Sequence, residues 1–218
     1  MKNLWLLLLL IMLHTVAVGQ NYNLEINQKE VSFGNNKKLA FCTSFQSPEN
    51  ILKKEWWKYV KSYAILSNKR THYENKILTK KSQAANDIYF FSLLTFKNDI
   101  YTLKIALNDS EVDKSDIALY KQYLKDLMLD FKLGFYSSKI QSKIDGNEKV
   151  SAKVSSRIEK ITRANLKLES SKKKKNISLK SIEKKIEANN QLIEKARIEL
   201  FAYQSEMNGL KKELEGIK

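Results

Sequence analysis

The chain has 218 residues, with 39 Lys and Arg against 24 Asp and Glu, a formal charge of +15 at pH 7. One cysteine excludes an internal disulfide, and two histidines speak against a histidine-based zinc site or a Ser-His-Asp machine. Six glycines offer little for a phosphate-cradling loop, and no G-x-G-x-x-G, Walker, paired-Cys, H-E-x-x-H or G-x-S-x-G pattern occurs.

No catalytic, cofactor-binding or metal-binding residue is therefore assigned, and no enzyme is expected. The basic residues run along the whole chain with acidic residues between them. Solvated lysine-rich faces account for that distribution. Attraction to acidic client proteins or acidic envelope surfaces is the sharper reading.

Residues 1–19 read as a cleavable signal peptide. Lys2 supplies a positive start, residues 4–18 are apolar apart from His14 and Thr15, and Ala17-Val18-Gly19 places small residues where a signal peptidase inspects. Cleavage would leave Gln20 as the N-terminus and His72 as the one remaining histidine. The apolar run falls short of the roughly 20 residues of a bilayer-spanning helix. The mature chain is thus expected to be periplasmic or secreted, not integral to the membrane, and away from nucleic acid. Cys42 is expected to be buried and inert.

Residues 20–145 read as an α+β domain. Residues 22–33 and 38–45 form a strand pair around Gly34-Asn35-Asn36. Ser47-Pro48-Glu49 opens a helix: a capping Ser, Pro at the first helical position, and an acid beside the positive dipole end. Leu52, Trp56, Tyr59, Val60 and Tyr63 form its apolar stripe, while Trp57 lies off it, flanking the core or touching a ligand. Three strands follow, at 72–78, 88–96 and 100–107, the last two joined at Lys97-Asn98-Asp99. A second helix from about Asp113 carries Ile117, Tyr120, Leu124, Leu127, Met128, Phe131 and Phe135. This order predicts a small antiparallel sheet with two helices packed on one face.

Residues 146–218 read as a basic coiled-coil region. From Leu179 the apolar positions step by three and four through Ile182, Ile186, Ile193, Ala196, Leu200, Tyr203, Met207, Leu210, Leu214 and Ile217, with Asn189 in the series. The register run backwards reaches Leu168, Asn165, Ile161, Ile158 and Val154. The lysines at 172–175 are either a hydrated turn between antiparallel helices or part of one continuous helix. The stripe needs a partner: a second copy, the segment 154–168 folded back, or another protein. Self-association is the expectation, because the heptads outrun that segment.

The layout resembles a group of uncharacterised exported proteins of Bacteroidota-type bacteria. The likeness rests on Lys54-Glu55-Trp56-Trp57-Lys58-Tyr59-Val60-Lys61, on the strand start Asp87-Ile88-Tyr89, on Tyr120-Lys121-Gln122-Tyr123-Leu124 and on the closing Lys/Glu-rich coiled coil. It departs from the group at Leu107-Asn108-Asp109-Ser110, where a Gly-containing stretch is expected. The resemblance implies no activity. In architecture alone, basic periplasmic holdase chaperones of the Skp type also join a small β body to helical arms, there inserted within the β body.

Three functions compete on these observations. The first is a non-enzymatic envelope protein, its α+β domain a binding module and its coiled coil a contact for itself or a partner. The second is a holdase or adaptor with basic arms. The third is a small-ligand carrier with a pocket between the sheet and the helix bearing Trp56 and Trp57.

Overall fold

The computed structural model describes residues 22–46, 49–79, 86–98, 100–172 and 178–217. The proposed signal peptide, the cap residues Ser47 and Pro48, Asp99 and Lys173–Lys175 lie outside them. The chain divides into two compact units, Asn21–Tyr136 and Ser137–Lys218.

The first unit is the α+β domain. Strands β1 (Asn27–Phe33) and β2 (Asn36–Phe45) precede helix α1 (Glu49–Tyr63). Strands β3 (Ala64–Asn68), β4 (Tyr73–Ile77), β5 (Ile88–Lys97) and β6 (Ile100–Leu107) follow, and then helix α2 (Ile117–Ser171). All strand pairs are antiparallel, in the order β1-β2-β6-β5-β4-β3. Strand β3 was not expected from the sequence. It leaves α1 without an intervening loop and lies at the sheet edge, with Ile65 exposed, so it carries neither a turn signal nor a clean alternation.

Two hairpins turn as their residues suggest. Phe33 pairs with Asn36 across a two-residue turn in which Gly34 has φ +62°. Lys97 pairs with Ile100, and Asn98 has φ +52°, a conformation that Asn tolerates better than most residues.

One face of the sheet carries the main core. Tyr101, Leu103, Ile105 and Leu107 of β6 alternate onto it and are buried. Leu52, Trp56 and Val60 of α1 are buried with them, as are Tyr120, Leu124, Leu127, Met128, Phe131 and Phe135 of α2. Aromatic rings knit the layers: Trp56 meets Phe131 edge to face at 4.9 Å, and Phe45 meets Phe135 at 5.5 Å. Tyr59 donates its hydroxyl to the Leu127 carbonyl at 3.2 Å, fixing α1 against α2.

The other face holds a smaller cluster of Phe33, Ala40, Cys42, Phe91 and Ala106. Phe33 and Phe91 stack at 5.5 Å although β2 and β6 lie between their strands. In a flat sheet three strand spacings would hold those backbones about 14 Å apart. The sheet therefore curls, and the β1–β2 tip bends toward the β3–β4 loop. A Cβ on Gly34 would stand 3.5 Å from the His72 ring. Burial raises the Cys42 thiol pKa, with Lys104 and Lys29 pulling the other way.

The second unit is a helical hairpin. Helix α3 (Leu179–Ile217) runs antiparallel to the later part of α2: Arg157 pairs with Glu199, and Asn165 bonds both Asn189 and Asn190 at 2.7 and 2.9 Å. The expected seam is inward along α3, buried or half-buried from Ile182 to Ile217, whereas Leu179 is exposed. The same heptad runs further back in α2 than the sequence suggested, through Ser151 and Asn147 to Ile144 and Ile140. Helix α2 also crosses Gly146 without a break, so the unit boundary falls at 136/137 inside a helix.

Candidate functional site

Helix α1 reaches the sheet with Trp56 and Trp57 on different sides of its stripe. Trp56 is 1% exposed and belongs to the core. Trp57 is half-buried, its ring edge to face with Tyr73 of β4 at 5.4 Å. Between them and β5 lies a cavity of about 210 Å³. Its walls include Trp57, Tyr73, Leu94 and Phe96, and its cationic groups are Lys53 and Arg70.

Lys53 is one turn ahead of Trp57, so its ammonium sits over the indole at 4.8 Å, a cation–π contact. The outer side of α1 continues as a lysine ridge, with Lys54, Lys58 and Lys61 beside the same indole. Arg70 stands in the β3–β4 loop with φ +66°. That loop is held tightly: the Arg70 amide donates to Asn68 Oδ1 at 3.0 Å, and the Lys69 amide to the His72 carbonyl at 2.9 Å.

His72, at the back of the loop, is buried between the Phe33 and Phe91 rings. Its Nδ1 lies 3.0 Å from the Thr71 hydroxyl and its Nε2 3.9 Å from Glu74. The Trp57 indole N–H is buried with no hydrogen-bond partner among the described residues. Asn75 of β4 donates to Oγ of the lining residue Ser92 at 3.0 Å and to the Phe90 carbonyl at 3.2 Å.

Among the described residues no aspartate or glutamate lines the cavity, and neither Lys53 nor Arg70 forms an ion pair with a described residue. The result is a half-aromatic, positively charged recess without a counter-charge from the described residues. Among the described residues no three His, Cys, Asp or Glu side chains converge as metal ligands would.

The sequence pointed to Trp56 and Trp57 as pocket residues, and the structure divides those roles. Arg70 and Lys53 were not singled out. Lys53 reads as one more surface lysine, and Arg70 lies in a loop whose first strand, β3, has no clear pattern. Comparison with protein-family models, with curated proteins and with solved structures finds no match.

Proposed function

We propose that this protein is a non-enzymatic binding protein, exported by its N-terminal signal, whose α+β unit takes a small ligand between α1 and the sheet. The observation that carries the reading is the recess itself: two cations without ion-pair partners among the described residues, set in aromatic walls. Small-ligand sites combine such apolar walls with a few convergent polar groups. The hairpin is the contact arm. Its seam is filled from within, so contact falls to the outer faces, where Phe201 and Leu166 are 70% and 65% exposed. Among the described residues no helix is long and apolar enough to cross a membrane.

The test is native mass spectrometry of protein taken from envelope extract, beside a Leu94→Trp variant that fills the recess. A small molecule carried by the wild type and lost from the variant supports the proposal. Identical ligand-free masses sink it.

The holdase reading has its own observation in those exposed apolar side chains among lysines. Suppression of client aggregation by the wild type, abolished by Phe201→Ser with Leu166→Ser, would support it.

A further inference from the structure

We infer that the recess beside Trp57 selects a small organic anion with a flat, single-ring body, an aromatic carboxylate being the simplest member of the class. The inference rests on the binding-module reading and names its ligand.

Charge sets the sign. A recess lined by Lys53 and Arg70, with no carboxylate lining it among the described residues, favours a negative group and repels a cation. A guanidinium presents a planar fork that matches a carboxylate through two parallel hydrogen bonds, stronger than neutral ones.

The backbone singles out Arg70. At φ +66° a glycine or asparagine would be relaxed, whereas an ordinary side chain is strained. The loop is held by the Asn68 side chain and by backbone bonds, none of which uses the guanidinium. An arginine at a left-handed position beside this recess is accounted for by what its side chain holds there.

Shape sets the body. Trp57, Tyr73 and Phe96 offer ring faces and edges, which pack best against another flat ring. The cavity of about 210 Å³ is below the roughly 300–1,000 Å³ of sites for drug-sized ligands, so one ring is the fitting size.

The experiment titrates the mature chain, residues 20–218, with benzoate, benzamide, benzylammonium and acetate, by calorimetry and by tryptophan fluorescence. Trp56 and Trp57 are the only tryptophans in that span, so quenching reports this recess. Two variants accompany it: Arg70→Asn, which keeps a residue at ease in the left-handed turn, and Lys195→Asn, an exposed control in the hairpin.

Benzoate is expected to bind roughly tenfold tighter than benzamide and acetate, the worth of one charge-assisted pair, and benzylammonium not to bind. Arg70→Asn should weaken benzoate by about the same factor, leave benzamide unchanged and keep or raise the melting temperature. Lys195→Asn should change nothing. Benzamide or benzylammonium binding as tightly as benzoate would overturn the anion selectivity while sparing the binding module. So would an unaltered benzoate affinity in Arg70→Asn, or an equal loss in Lys195→Asn. If no probe binds, the anion assignment falls, and the binding module is then decided by the native mass measurement.

Discussion

Lys132, 1% exposed on the inner side of α2, donates from its ammonium to the hydroxyl of Thr43 in the middle of the sheet, and the Thr43 hydroxyl in turn donates a hydrogen bond to the Glu25 carbonyl at 2.8 Å. The face of the Phe45 ring lies 5.3 Å from the same ammonium. Burial lowers the Lys132 pKa to about 8, against a smaller upward pull from Glu25. The folded state therefore gives up this proton before the unfolded chain does, whose lysine titrates near 10.4. Between those two values the unfolded state binds more protons, so stability rises with pH; below about pH 8 the penalty is present in full. Lys132→Met should stabilise the protein at pH 7 by on the order of 3 kcal/mol, because each pKa unit is worth 1.36 kcal/mol. It should also remove the rise between pH 8 and 9.5. Burial, then Tyr63, hold the Tyr59 hydroxyl above its ordinary value, so stability turns down again above about pH 10, where unfolded tyrosines ionise. Urea midpoints at pH 7 and 9 check the prediction, and a wild type with equal midpoints contradicts it.

Asp87 ties the start of β5 to β4. Its carboxylate takes the Lys76 ammonium at 2.8 Å, the Thr79 hydroxyl at 2.7 Å and the Thr79 amide at 2.8 Å. The Lys76 bond first, then the Thr79 bonds, lower its pKa to about 2. A depressed carboxylate contributes stability above its unfolded pKa near 3.9 and loses it as pH falls toward 2. Asp87→Asn should be less stable at pH 6 and show a shallower loss between pH 4 and 2. Acid titrations followed by circular dichroism decide this; parallel curves for the two proteins would refute it.

Much of this was legible where one period rules a segment. The α1 stripe, the alternation of β6 and the heptads of α3 each bury the residues their spacing marks. Legibility ended where polar residues occupy core positions. Asn147 and Ser151 sit inward on α2, and Asn147 Nδ2 and Ser151 Oγ lack partners among the described residues, so the stripe seemed to stop short of Ile144. Gly146 read as a boundary, yet a Cβ there would meet nothing, and it is one more helical residue at about 1 kcal/mol relative to alanine. The left-handed Arg70 leaves no sequence signal, because nothing in its neighbours' composition demands positive φ.

The division at 136/137 predicts that the α+β unit folds without the hairpin. Its core residues from Phe33 to Phe135 lie within it. A fragment of residues 20–145 keeps two further turns of α2 to protect Tyr136 from fraying. It should melt in one cooperative transition with near-ultraviolet dichroism from its packed aromatic rings. A fragment that is disordered or aggregates on purification would show that the hairpin is needed for the core.

The last prediction concerns the α3 seam. The case for self-association was that the heptads outrun the segment 154–168. The inward heptad of α2 begins at Ile140, which gives α3 a partner of nearly its own length within the chain. Asn165, half-buried and bonded to Asn189 and Asn190, pins the register, as a polar residue at a seam position does in coiled coils at some cost in stability. The mature chain should therefore scatter light as a monomer. Replacing Ile193, 8% exposed, and Leu200 by lysine buries unpaired charge in the seam. The double variant should lose helical dichroism and its hairpin should become protease-sensitive, while the mass stays that of one chain. A wild type that scatters as a dimer, and a double variant that falls to a monomer, would show that the stripe serves a second copy and that the in-chain hairpin is not its resting partner.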